Sequence, residues 1–269
     1  MSDPVTEVHK TSYDPAYFAK LAKIEEKHFW FRGRNLIITS LAKQLTDPIE
    51  AGFRVLEVGC GTGNVLQALE ATCSRGAVVG MDVFAEGLRF ARSRTCCQLV
   101  QGDIHRPPFG PSFDLIGAFD VIEHLADDLG ALRNLRTMLK PQGALLLTVP
   151  AHMSLWSYFD QASHHRRRYE PQDLSALLVT AGYAVEFLSE FMCSIYSLVW
   201  LRRRLAPFLY HSSAASGTIR AHELTAGELR IVPVLNEVLS AVIALEAKLI
   251  ARRRKLPFGT SLIAVARKE

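Results

Sequence analysis

Between about residues 53 and 191 the sequence alternates short β-branched or apolar runs with helical patterns, and this alternation constrains the fold more than any other feature. The strand candidates are "RVLEVG" (54–59), "AVVGMDV" (77–83), "QLVQGD" (98–103), "FDLIGAFDV" (113–121), "GALLLTVP" (143–150) and "YAVEFLSE" (183–190). Helix candidates lie near 63–73, 85–94, 127–139 and 171–181, with start signals such as "PQDL". Strands spaced by helices predict βαβ units around a parallel sheet, because a crossover helix returns the chain to a parallel neighbour. "GTSLIAVARK" (259–268) reads as a further strand.

The flanks divide the chain into a helical cap (residues 1–50), a core (51–191 with 257–269) and a helical insertion (192–256). In the cap, residues 15–46 read as helical from the Asp14-Pro15 start signal onward, placed to cover the open top of the sheet. In the insertion, Ile231, Leu235, Val238, Val242, Leu245 and Leu249 recur at steps of four and three, one apolar stripe on a long helix. Asn236, Glu237, Glu246 and Lys248 interrupt its other face, and "FMCSIYSLVWL" (191–201) is too short to span a bilayer before it meets three arginines.

Hydrophobic residues at 49% and charged residues at 22% sit near globular averages, which excludes a disordered or membrane-embedded body. Five cysteines (Cys60, Cys73, Cys96, Cys97, Cys193) form no C-x-x-C pair, so neither a zinc site nor a disulfide framework is expected, and a reducing cytoplasm fits. "MSDPVTEVHK" has no basic start followed by an apolar run, so a secretory signal is not expected. The runs Arg166-Arg167-Arg168, Arg202-Arg203-Arg204 and Arg252-Arg253-Arg254-Lys255 read as solvated faces or helix ends, or else as contacts to an anionic substrate or membrane surface. Nucleic acid is not the expected partner: the net charge is only +4 and no aromatic stacking platform interleaves the basic runs.

The stretch "VLEVGCGTGN" (55–64) turns a strand into a helix through Gly59, Gly61 and Gly63, which lets a ligand approach the backbone closely. A dinucleotide fingerprint needs G-x-G-x-x-G, and Asn64 stands where its third glycine would be, which disfavours a dehydrogenase. Glu57 lies inside the strand, where no pyrophosphate would want it but a cationic ammonium would. Asp82 ends the second strand, placed to accept two hydrogen bonds from a ribose diol. Asp103 follows the third. The ligand is therefore read as a nucleoside with an amino-acid-like cationic tail.

At this point the sequence resembles the class I S-adenosylmethionine-dependent methyltransferases, of the type 11/12 and ubiquinone-pathway O-methyltransferase kind. "VLEVGCGTG", "VVGMDV", "QGDI", "FDLIGAFDVIEHL" and "LKPQGALLLTVP" match in order and spacing over most of residues 53–151. The resemblance implies a Rossmann-like, doubly wound seven-stranded sheet with an antiparallel last strand, and S-adenosyl-L-methionine as cofactor. It implies that Glu57, Gly59, Gly61 and Gly63 hold the methionine part, Asp82 the ribose, and Asp103 with Ile104 the adenine. Cys60, Val83 and Phe119 join them as cofactor-binding positions. In "FWFRGRN" (29–35), Arg32 or Arg34 is placed to pair with the cofactor's carboxylate, with Arg32 the chosen candidate, or else to be a surface arginine beside Trp30.

For the acceptor, a hydroxyl must lose its proton, which points to histidine as base. His124 in "DVIEHL" is the first candidate; His152, His164 and His165 in "PAHMSLWSYFDQASHHRRRYEP" (150–171) are the others. "D-x-x-E-H" with a later histidine also resembles the "E-x-x-E-H" metal arrangement of some O-methyltransferases. That resemblance implies a divalent ion on Asp120, Glu123, His124 and His165 as a less favoured alternative to no metal. The expected function is O-methylation of a small-molecule, glycan or lipid-linked acceptor, against N- or C-methylation or a non-catalytic cofactor-binding scaffold. The insertion is expected to be a lid, a homodimer seam or a peripheral membrane element.

Overall fold

The computed structural model describes residues 17–209 and 230–269. Strands β1 (Arg54–Val58), β2 (Ala77–Asp82), β3 (Gln98–Gln101), β4 (Phe113–Phe119), β5 (Leu139–Pro150), β6 (Tyr183–Phe191) and β7 (Ser261–Lys268) form one sheet. Their order is β3-β2-β1-β4-β5-β7-β6. β1 to β5 pair in parallel, and β7 lies antiparallel between β5 and β6. This is the seven-stranded, doubly wound α/β sheet that the sequence resemblance implies.

The near-continuous apolar strands are explained by helices on both faces. Along β1, Leu56 and Val58 face a core shared with α5 (Asp128–Met138) and α7 (Pro171–Thr180), through Leu132, Leu135, Leu174 and Leu178. Val55 points the other way, toward α2 (Phe29–Thr46), α3 (Asn64–Thr72) and α9 (Pro233–Ala251), through Ile38, Leu66 and Ile243. α4 (Ala85–Arg92) follows β2, α6 (Tyr158–Ala162) lies between β5 and α7, and α8 (Tyr196–Leu209) opens the insertion. No helix among the described residues is long and apolar enough to cross a membrane.

Three local expectations are corrected. The cap is two helices, α1 (Phe18–Ile24) and α2, because the chain turns at 25–28 and the His28 side chain accepts the Trp30 N–H. Asn236, some 200 residues away, accepts the Phe29 N–H at 2.8 Å and donates to the Lys27 carbonyl at 2.9 Å, so this elbow is set by tertiary partners. The Asp14-Pro15 signal lies outside the described residues. β5 starts at Leu139 rather than 143, since Leu139 pairs with Phe113 ahead of a register shift.

The third correction concerns α9, which starts at Pro233, so Ile231 of the expected stripe lies ahead of the helix. Its buried side chains are Asn236, Ile243, Glu246, Ala247 and Ile250. Val238 (55% exposed) and Leu245 (60%) of the apolar stripe face outward. Burying two polar groups is tolerated because both are satisfied. Glu246 accepts the N–H groups of Cys193 at 3.0 Å and Ser194 at 2.6 Å, while Asn236 holds the elbow of the cap.

Candidate functional site

A cavity of about 280 Å³ opens at the carboxyl ends of β1, β2 and β4, with the cap helices as its roof. Its floor is the turn after β1, where Gly59, Gly61 and Gly63 all have positive φ (71°, 49° and 80°). At Gly59 a Cβ would lie 2.5 Å from a Val121 methyl, and at Gly63, the N-cap of α3, 2.8 Å from the Ala91 Cα. Neither position admits a side chain, so the turn stays narrow and its backbone stays accessible. Arg94 pins α1 above this turn by bonding Glu25 and the Ala22 carbonyl, which brings Phe18 and Leu21 to the cavity wall.

Three acids mark one end of the cavity. Glu57 is 3% exposed, and its Oε2 has no hydrogen-bond partner among the described residues. Burial pushes its carboxyl well above the usual range, partly offset by the Arg34 charge. Asp82 is pushed up to about 6 by burial, against the stabilising N–H groups of Phe84 and Gly61. Asp103 and Ile104 lie beside it, with Val83, Cys60 and Phe119 also on the wall. Burial raises the Cys60 thiol, so it stays protonated and unreactive.

At the opposite end His124 and His165 meet, rings T-shaped with centroids 4.8 Å apart. The arginines of 166–168 make this meeting possible. Arg166 donates its backbone N–H to the Glu123 carbonyl and its side chain to the His124 carbonyl. Arg167 bonds Asp128 and the carbonyls of Leu125 and Ala126, and Arg168 bonds Asp160 and the Ala151 carbonyl. The run is thus a buckle between the loop after β4 and the loop after β5, which corrects its reading as a solvated face or anion contact.

Asp160, wholly buried, orients His165. It accepts from His165 Nδ1 at 2.9 Å, Arg168 Nε at 2.7 Å and the Ser157 N–H at 2.9 Å. Burial works against its charge, but the His165 hydrogen bond and the Arg168 charge hold its pKa below the ordinary value. An ionised Asp160 can only accept, so His165 donates from Nδ1, and in the neutral ring Nε2 is then the nitrogen without a proton. Glu123 is also fully buried; neither carboxylate oxygen has a partner among the described residues, and burial with the Asp120 charge raises its pKa well above normal.

A family model described as a methyltransferase domain matches residues 28–187. The chain belongs to this methyltransferase-domain family. Membership assigns residues 28–187 to a methyltransferase domain. A Mycolicibacterium smegmatis protein named a probable S-adenosylmethionine-dependent methyltransferase is 29% identical, over 61% of this chain and 62% of its own length. A trans-aconitate 2-methyltransferase of Azoarcus sp. is 31% identical, over 50% and 51%. The chain thus spans about three-fifths or less of these curated relatives. Among solved structures, a Haemonchus contortus phosphoethanolamine N-methyltransferase bound to S-adenosyl-L-methionine superposes with TM-score 0.52 at 18% identity, covering 85% of this chain and 52% of that one. The [4+2]-cyclase SpnF superposes equally (TM-score 0.52, 17%, covering 86% and 81%), so this likeness speaks for the fold alone.

The residues of the methyltransferase domain fit its cofactor. The unpartnered Glu57 Oε2 could receive an ammonium, the three-glycine turn leaves its backbone open to a ligand, and Asp82 and Asp103 line the same cavity. Arg32 is corrected: it sits outside the cavity, ion-paired with Glu237 at 2.9 Å and 44% exposed. Arg34 lines the cavity instead, bonded to Asp120 and 4.9 Å from the Trp30 ring centre. The spacing of "FRGR" did not discriminate the two. The aromatic walls Phe18, Phe31 and Phe159 had no sequence signal as site residues, whereas the Ser157-x-x-Asp160 capping box could have flagged Asp160 as fixed.

Two histidines of the methyltransferase domain lie outside its cavity. His164 sits at a positive-φ turn. His152 is clamped between Glu170 and Glu190, 2.7 Å from each. Burial lowers its pKa, but the two carboxylates outweigh this and leave it raised. Its stabilising contribution is therefore complete below the ordinary histidine value and lost as pH rises through the raised one. His152→Gln should lower stability by about 1–2 kcal/mol at pH 6 and by less at pH 9, as read from denaturant midpoints at the two pH values.

For a divalent ion, Glu123, His124 and His165 each bring one ligand atom within 4.8 Å of the others. Asp120, the fourth expected ligand, is not in this group: Arg34 takes one carboxylate oxygen and Thr148 donates to the other at 3.2 Å.

Proposed function

We propose that this chain methylates an oxygen of a small, largely apolar acceptor, with His165 as the base that receives the hydroxyl proton on Nε2. The observation that carries the reading is the buried Asp160 that fixes the tautomer of a cavity-lining histidine. S-adenosylmethionine, when bound, supplies a methyl group on an already activated sulfonium. The protein then has to exclude water, align the acceptor oxygen and remove its proton. Trp30, Phe31, Leu125 and Phe159 supply dry walls suited to an apolar acceptor. His124, edge-on to His165, helps to place the hydroxyl. A neutral amine needs no such base, which favours oxygen over nitrogen.

The orphaned oxygens of Glu123 favour a second reading, in which Glu123, His124 and His165 hold a divalent ion that polarises the acceptor oxygen. One assay separates the two. Release of S-adenosylhomocysteine is measured with matched phenol, alcohol and amine acceptors, with and without a chelator. The base reading expects turnover of a hydroxyl acceptor that is indifferent to chelator. Loss on chelation, restored by a divalent ion, would establish the metal reading. Turnover of amines alone would refute both.

A further inference from the structure

We infer that the outward face of α9 docks this protein on the surface of an anionic lipid bilayer. The helix runs 19 residues, about 28 Å at 1.5 Å per residue. Val234 (79% exposed), Val238 (55%), Leu245 (60%) and Leu249 (41%) fall on one side of it, with Leu235 and Val242 beside them. Soluble surfaces scatter single apolar residues; six large ones aligned on one helix are a patch that needs a partner.

The exposure is not an accident of helix rotation. Asn236 and Glu246, on the opposite side, are bonded to backbone groups of the cap elbow and of residues 193–194. Turning the stripe inward would strip those bonds and bury two unsatisfied polar groups, so the structure holds the apolar side outward.

Charge selects the partner. Residues 192–256 hold ten of the chain's 31 Lys and Arg but only four of its 27 Asp and Glu, so all of the positive excess of the chain sits in this segment. On the outward side of α9, Glu237 is neutralised by Arg32, while Lys248 and Arg252 are exposed at the carboxyl end of the stripe. α8 repeats the pattern, with Leu198, Leu201 and Leu205 exposed among Arg202 and Arg204, and the Arg204 guanidinium 5.5 Å from the centre of the exposed Trp200 ring. An apolar stripe with a basic rim matches the interface of an anionic bilayer, where acyl chains take the stripe and phosphates take the rim. A second copy of the chain would bring the same positive excess against itself. The same helix fixes the cap elbow next to Trp30 and Phe31, so docking would set the cavity mouth close to the lipid.

The test is flotation of the full chain with phosphatidylglycerol–phosphatidylcholine vesicles and with phosphatidylcholine vesicles alone, at two salt concentrations. The expected result is co-flotation with the anionic vesicles, weakened by salt, and about tenfold or more weaker in a Val238→Glu/Leu245→Glu variant that melts as the parent does. Absence of co-flotation, or co-flotation unaffected by the double substitution, would overturn the proposal. So would light scattering that shows a parent dimer split by the variant without vesicle binding, since the face would then be a seam between copies. A variant that melts lower and leaves vesicle binding unchanged would equally overturn it, since the face would then be covered by the chain itself.

Discussion

Replacing His165 with alanine should lower kcat by about 10²–10⁴-fold, the usual contribution of a positioned general base, while the dissociation constant for S-adenosylmethionine stays within about threefold of the parent. The separation follows from the layout. His165 lines the end of the cavity beside His124, Phe159 and Ser163, away from Glu57, Asp82 and Asp103. Its partner gives a second arm. Asp160→Asn keeps the shape and, because the oxygen that serves His165 Nδ1 also serves Arg168 Nε, keeps an amide oxygen toward both; it removes the charge that would support His165 as it takes up a proton, so the rate should fall. That variant also leaves Arg168, which is 7% exposed, without its charge partner, so it should lose stability as well as rate, by about 3–5 kcal/mol. His165→Ala leaves the Asp160–Arg168 ion pair in place but takes one hydrogen bond from the buried Asp160, so its denaturant midpoint is read beside its rate. Calorimetric titration of the cofactor beside steady-state rates decides the matter: a kcat within about threefold of the parent would remove His165 as the base.

The sheet was legible because its signal is local. Each strand is an apolar run closed by glycine or acid, and each βα unit fits within a window that periodicity can read. That Glu57, the glycine turn, Asp82 and Asp103 share one cavity was legible for a related reason: they sit in or just after strands whose place follows once the strands are assigned. The histidine end of the cavity was only half legible. His124 and His165 carry no mark that sets them apart from His152 and His164, and what separates them is distant. Asp160 selects His165, Glu170 and Glu190 capture His152, and the three arginines decide which loops meet. The α9 stripe was legible as a period and silent on direction. Periodicity identifies the apolar side of a helix but not where that side points, and here two buried hydrogen-bonding residues set the direction.

Glu57→Gln should weaken S-adenosylmethionine binding by about 1.5–3 kcal/mol, some 10- to 150-fold, while leaving the cofactor-free protein as stable as the parent or more so. The two signs together are the test. With its pKa raised, mainly by burial, Glu57 holds a proton in the folded chain that the unfolded chain releases. Such a group contributes stability that is complete below the ordinary glutamate value and is lost as pH rises toward the folded one. A neutral glutamine removes that loss, so the variant should gain on the parent between pH 5 and pH 8 and match it near pH 4. An ammonium placed at Oε2 reverses the balance, because the carboxyl must ionise to receive it. Binding to the parent should then release a proton, visible as a dependence of the calorimetric heat on buffer ionisation, and the affinity should rise with pH. Glutamine has no proton to release, and both dependences should flatten. Asp82 is the poorer probe, because its carboxylate also holds the N–H groups of Gly61 and Phe84 and its removal would loosen the turn itself. If Glu57→Gln bound the cofactor as the parent does, with the same proton release, the ammonium would have to sit elsewhere, and the acid inside β1 would be a buried group without a ligand.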